Sequence, residues 1–275
     1  MESSKTISII TINLNNKDGL QKTIESIDEQ KFSTYELIVI DGGSIDGSLD
    51  VIHSFNHIID YWVSESDTGI YHALNKGIHQ SSGTYCLFLN AGDWLVKNSL
   101  SEAAMMCEGE GVIYFRCYRS YSDGRFEKQY YPPQLTMRSF YKRTIGHQSS
   151  LIRRDLFDLH GTYNETFQLH ADYDFWIKTI ILNNVSCKYA ESYLCYYDMG
   201  GRSAQPSERS EQEINTILTS YLPARVLDDY QYWFHKEQEM EVLLWYKSKP
   251  FLYRGLVFFF NIARWVVQYI PRTPR

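Results

Sequence analysis

No stretch of this 275-residue chain offers 18 consecutive uncharged apolar residues, so a membrane-spanning helix is not expected. Cysteine is scarce. Cys86, Cys107, Cys117, Cys187 and Cys195 are odd in number, and no two form a C-x-x-C pair. That argues against a disulfide framework or a zinc knuckle and favours a reducing compartment. Met1 to Lys5 lack the basic start and apolar stretch of a secretory signal, so the expected location is the cytoplasm. Positive charge is in deficit, 27 Lys and Arg against 33 Asp and Glu. A net −6 is the wrong sign for a phosphate-tracking surface, and no nucleic-acid partner is expected. Internal repeats and low-complexity tracts are also missing. With 44% hydrophobic residues, the chain has ample material for a folded core.

Strand and helix signals alternate through the first half. Apolar, β-branched runs at Ile7–Ile12, Tyr35–Ile40, Ile58–Val63 and Tyr85–Leu89 are separated by helical spacing at Lys17–Glu29, Ser48–Phe55 and Ile70–Ile78. This alternation predicts an α/β fold with a central, mainly parallel sheet flanked by helices. Ligands of such sheets bind beyond the carboxyl ends of the strands, which singles out the loops after Ile12, Ile40 and Leu89. Further on, Ser122-Asp123-Gly124 predicts a hairpin turn within an aromatic stretch, and Asp172 to Leu182 has helical spacing. Beyond Pro206 the pattern is helical.

Three segments could carry chemistry, and each has a plain structural reading beside the functional one. Leu37 to Gly47 is a strand ending on Asp41 and a Gly/Ser turn. Its carboxylate could meet a ribose hydroxyl or a base N–H, or it could cap the turn together with Ser44. The dinucleotide fingerprint G-x-G-x-x-G is missing there, which weighs against a nicotinamide enzyme. Leu87 to Asp93 again runs from strand to polar turn. Asp93 suits a hard divalent cation that also holds phosphate oxygens, although a turn aspartate is the commoner case. His170-Ala171-Asp172-Tyr173-Asp174 opens a helix. Its carboxylates could serve the helix dipole, or one could face a cleft as a general base.

Taken in order, these segments resemble the family 2 (GT-A type) inverting glycosyltransferases of bacterial polysaccharide synthesis. The resemblance runs through Ser8 to Asn15, Val39 to Gly47, Ser64 to Gly77, Phe88 to Asp93, Gly146 to Ser150 and Ala171 to Phe175, and covers about residues 6 to 203. It implies a GT-A nucleotide-sugar-binding domain over 1–205 and a helical extension over 206–275. It also implies a nucleotide-sugar donor, in the first instance a UDP-sugar, and a glycan or lipid-linked acceptor. By the same resemblance Asp172 is the catalytic base, and Asp93 is the ligand of Mn²⁺ or Mg²⁺. Thr11, Asn15, Asp41, Asp67, Lys76, Asn90, Gly92, His147 and Arg202 are the expected substrate-binding residues. Arg202 lies in a late glycine-rich loop, Gly200 to Ser203. The sequence departs from the family pattern at Gly42, Asn90, Gly92 and Ala171, where relatives often carry acids. The processive signature Q-x-x-R-W is missing, so transfer of a single sugar is expected. Two other readings compete: a non-catalytic nucleotide-sugar-binding scaffold subunit, and a sugar nucleotidyltransferase. The second would want a basic glycine-rich phosphate loop, which Thr11 to Leu20 does not provide.

The tail has a different composition. Six cations and no acid lie between Val242 and Arg275. From Phe251 to Ile270 the only polar residues besides tyrosine are Arg254, Asn261, Arg264 and Gln268, at spacings that place them on one helical stripe with Lys247 further back along the same line. An apolar face beside a basic stripe predicts a helix lying on the cytoplasmic face of the inner membrane. The alternative is a helix packed on the catalytic domain or on a second copy. Oligomeric state is not legible in the sequence.

Overall fold

The computed structural model describes residues 6–201 and 207–269. Nine strands form one sheet: β1 (Ile7–Asn13), β2 (Tyr35–Asp41), β3 (Tyr61–Ser64), β4 (Tyr85–Phe88), β5 (Trp94–Leu95), β6 (Val112–Ser120), β7 (Phe126–Gln129), β8 (Ser150–Arg153) and β9 (Cys187–Asp198). Their order is β3-β2-β1-β4-β8-β6-β9-β5, with β7 paired to β6. The first four strands pair in parallel, as the alternating pattern predicts. Beyond β4 the sheet becomes mixed. β8 runs antiparallel to β4 and β6, β9 runs parallel to β6, and β5 runs antiparallel to β9. The sheet is therefore parallel in its N-terminal half and mixed in the other. The predicted hairpin is present between β6 and β7, with Gly124 at φ 83° in its turn.

Helices cover the parallel half because their apolar residues recur at 3.6-residue spacing. Lys17–Asp28 starts where the Asn16 side chain accepts the amide of Gly19 at 3.2 Å, and it buries Leu20, Ile24 and Ile27. Each such side chain taken from water contributes about 2 kcal/mol. Ile70–Gln80 lies so close to β1 that a Cβ on Gly77 would sit 2.4 Å from Ile10 Cγ2. A methyl group at 77 would force the Ile10 side chain or the helix itself to shift. The predicted helix from Asp172 is α-helical over Ala171–Trp176 and continues as a wider π-helical turn over Ile177–Leu182.

The chain divides into two compact units, Met1–Ser220 and Tyr221–Arg275. The division falls later than the boundary expected at 205/206, because helix Glu208–Tyr221 buries Ile217, Leu218 and Glu213 within the first unit. The second unit holds helices Ala224–Lys247 and Pro250–Tyr269. The single basic stripe expected from Lys247 through Gln268 is interrupted. Ser248 ends one helix and Pro250, which has no N–H to donate, begins the next, leaving Lys247 on the earlier helix. Among the described residues no helix is long and apolar enough to cross a membrane.

Candidate active site

The β1–β2 register sets Asn13 beside Asp41 at the carboxyl edge of the sheet. Asp41 is fully buried, and its carboxylate is saturated. Oδ1 accepts from Asn13 Nδ2 at 2.8 Å and Ser44 Oγ at 2.6 Å. Oδ2 accepts from the amides of Gly43 and Ser44 and from Ser64 Oγ at 2.6 Å. Burial alone would push this carboxyl up; together these donors outweigh it and hold the pKa below the usual carboxylate value. Asp41 ties three loops together and leaves Asn13 on the wall of an adjacent cavity of about 320 Å³. Asn13 Oδ1 is buried there without a partner. Asp67 lines the same cavity and fills the space that a side chain at 42 would need, since a Cβ on Gly42 would lie 2.7 Å from Asp67 Oδ2.

Across that cavity, the antiparallel pairing of β5 with β9 brings Asp93 to Asp198. Asp93 Oδ1 accepts the Asp198 amide at 2.8 Å. Here the balance runs the other way. Burial, joined by the nearby Asp198 charge, outweighs the backbone amides of Asp198 and Asn90 and the Lys22 charge, and pushes the Asp93 carboxyl up to about 8. Asn90 Oδ1 is buried beside it without a partner, and the cavity wall continues through Gly200 and Gly201. Two carboxylates and an amide oxygen make a hard, all-oxygen donor set that a divalent cation would relieve of its repulsion. Among the described residues no group of three or more His, Cys, Asp or Glu could hold a metal, so further ligands would have to come from a bound diphosphate or water.

A second cavity of about 330 Å³ shares Ile70, Asn90, Gln148 and Tyr197 with the first. Asp172 lies on its wall, where Tyr71 Oη donates to Oδ1 at 3.1 Å. His147 Nδ1 stands 3.8 Å from Oδ2. His147 is 5% exposed, and neither ring nitrogen has a hydrogen-bond partner. Burial lowers its pKa and Asp172 only partly restores it, so the ring is neutral near pH 7. Asp172 thus keeps one oxygen open to the cavity beside a neutral ring.

Residues 8–163 match Glycosyl transferase family 2. This chain belongs to that family. A PGL/p-HBAD biosynthesis glycosyltransferase of Mycobacterium tuberculosis is 31% identical over 210 residues, spanning 71% of this chain and 78% of the relative. S. aureus TarS 1–349 in complex with UDP superposes with a TM-score of 0.63 at 19% identity, over 82% of this chain and 69% of that one. The mannosyltransferase of Pyrobaculum calidifontis, solved with GDP-Man and Mn²⁺, gives 0.56 at 15% identity, over 72% of this chain and 58% of that one. The transferase therefore has the GT-A fold.

The structure brings Asp67, Asn90 and Asp93 to the first cavity and His147 and Asp172 to the second, with Asn90 on both walls. Gly92, at φ 107°, lets the chain pass Asp198; a Cβ there would lie 3.3 Å from its Oδ2. Thr11, Asn15, Asp41 and Lys76 stand back from these walls. Thr11 is wholly buried. Asn15 ties loops through Ser44 Oγ and the Ile45 amide. Lys76 pairs with Glu65 at 2.7 Å. Arg202 lies outside the described residues. Sequence reasoning missed Asn13, Tyr71, Gln148 and Asp198 as site residues. Asn13 had a signal, since it ends a strand beside another strand-end polar residue. Asp198 had none, because only the β5–β9 pairing places it.

Proposed function

We propose that this transferase moves one sugar, with inversion at the anomeric carbon, from a nucleotide-sugar donor to a hydroxyl of a glycan or lipid-linked acceptor in bacterial surface polysaccharide synthesis. A UDP-sugar is the first donor to test. The observation that carries the reading is the joined pair of cavities, one containing Asp93 and Asp198 and the other Asp172. Inversion needs the attacking hydroxyl and the leaving diphosphate on opposite sides of the sugar, and two cavities meeting at Asn90 and Gln148 provide those sides.

In this reading Asn13 and Asp67 face the nucleoside. Asp172 Oδ2 accepts the proton of the attacking hydroxyl while Tyr71 holds Oδ1, and His147, kept neutral by burial, sets no positive charge against Oδ2. Positioned base catalysis is typically worth ~10²–10⁴-fold. A Mn²⁺ or Mg²⁺ ion held by Asp93 and Asp198 with the Asn90 amide oxygen would offset charge developing on the diphosphate. Release of nucleoside diphosphate from a panel of UDP- and GDP-sugars, with and without Mn²⁺, tests the proposal. Selective turnover of one donor supports it. Donor binding without turnover would favour the scaffold reading, and neither binding nor turnover across the panel would overturn the donor assignment.

For the tail, we propose peripheral attachment to the cytoplasmic face of an anionic inner membrane. Helix Pro250–Tyr269 exposes Phe251, Phe258, Phe259, Phe260 and Val267, the first at 88%, and carries Arg254 and Arg264 with no acid. Apolar burial and attraction to anionic headgroups add in such a helix.

A further inference from the structure

Helix Glu208–Tyr221 buries one acid, and that acid bonds outside its own helix. Glu213 is 8% exposed. Its Oε1 accepts the amide of Gln168 at 2.9 Å, and Oε2 accepts those of Leu169 at 2.9 Å and His170 at 3.1 Å. Three successive N–H groups converging on one carboxylate form an anion nest. Burial disfavours the charge, but the backbone donors and Arg209, 3.3 Å away, together outweigh it and hold the pKa below the usual glutamate value. His170 Nε2 adds a 2.7 Å bond to Ser210 Oγ on the same helix.

The clamped segment leads directly into the site. His170 is the residue before helix Ala171–Trp176 and makes no side-chain cap of its own. Asp172 is two residues further on, and Gln168, Leu169, His170 and Asp172 line the same cavity. The backbone that sets where this helix starts is therefore fixed by a side chain more than forty residues away.

We propose that Glu213 is a positioning residue: its carboxylate holds 168–170 so that the helix start points the Asp172 carboxylate into the acceptor cavity. The proposal rests on the reading of Asp172 as the base. A neutral amide at 213 keeps the size but supplies one acceptor oxygen in place of two, and it turns an N–H toward backbone N–H groups. A shift of about 1 Å at a reacting group can cost on the order of 10²-fold in rate.

The test compares full-length Glu213→Gln, Glu213→Asp, Ile217→Ala and Asp172→Asn. Ile217, fully buried in the same helix, controls for lost stability without touching the carboxylate. Glu213→Gln should lower kcat by about 10- to 100-fold, shift the acidic limb of the pH–rate profile, and leave UDP affinity unchanged. It should also speed amide exchange at 171–176 at least ~10-fold. The amides of 168–170 lose their acceptor in any case and are not the readout. Glu213→Asp should recover part of the rate, and Ile217→Ala should lower the melting temperature without changing the pH profile. Wild-type kcat and wild-type exchange at 171–176 in Glu213→Gln would overturn the proposal. So would an Ile217→Ala protein with the same altered profile, which would reduce Glu213 to a structural role. If Asp172→Asn retains wild-type turnover, the base reading fails instead, and the exchange data alone then decide whether Glu213 fixes the helix start.

Discussion

Asp41 ends β2 and Asp93 ends the turn between β4 and β5, both buried, yet their surroundings drive them in opposite directions. Asp41 collects five donors and is held below its usual pKa. Among the described residues Asp93 accepts backbone amides alone, has Asp198 as a neighbour and rises to about 8. A buried carboxylate whose lone pairs are filled is a structural tie. One left short of donors beside a second acid favours either a proton or a cation. Asp172 stands between these cases, with one oxygen held by Tyr71.

The largest effect should come from the half-satisfied member. Asp172→Asn should cut turnover by ~10²–10⁴-fold while nucleoside diphosphate affinity stays within a small factor. Retained turnover, measured by diphosphate release, would shift the base role to Asp174. Next, Asp41→Ala should cost about 3 kcal/mol or more of stability, because it strands several buried donors at once. Urea unfolding measures this, and a cost under about 1 kcal/mol would mean that Asp41 is not the tie described.

Asp93→Ala should weaken nucleoside diphosphate binding by about 10- to 100-fold when Mn²⁺ is present and leave it unchanged in chelator. Equal losses in both conditions would remove the metal from the Asp93 role. The two aspartates should also give pH slopes of opposite sign. The folded pKa of Asp93 lies above its unfolded value near 4, so the metal-free native state binds the extra proton. Its contribution to stability is full below pH 4 and is lost as pH rises toward 8. Asp41 is depressed, so its contribution is present above pH 4 and is lost as pH falls below that. Wild type minus Asp93→Asn in chelator should show a falling difference of at most about 1.4 kcal/mol per pH unit between those limits. A flat difference would contradict the burial-raised Asp93 carboxyl.

The second unit should matter least to catalysis. Deleting residues 250–275 should weaken binding to anionic liposomes, at about 1 kcal/mol per cation removed, and leave donor turnover intact. Full-length protein that ignores such liposomes at low salt would end the membrane reading.

The parallel half of the fold and most of its motif residues were legible because their signals are local. Apolar runs such as Leu37–Ile40 make buried strands wherever they occur, and Asp41, Asn90 and Asp93 sit at the ends of such runs. The mixed half was mostly hidden. β9 is rich in tyrosine and alternates irregularly, its register with β6 shifts around Arg116, and its direction is set by long-range pairing. Lys76 and Asn15 matched the family motif in sequence, and in the structure the Lys76 side chain pairs with Glu65 while Asn15 Oδ1 accepts the Ile45 amide.

The sequence by itself determined which residues could become strands, which carboxylates lie at strand ends and helix starts, and that the tail is basic and apolar. Hydrophobic spacing and backbone preference act over a few residues, so they can be read from the chain. What only the tertiary structure decided is what each acid faces. Asp198 reaches Asp93 across 105 residues of chain, and Glu213 reaches the loop before Asp172. Charge, burial and donors then set apart Asp41 and Asp93, which look alike in the sequence, because a carboxylate's pKa depends on the groups packed around it.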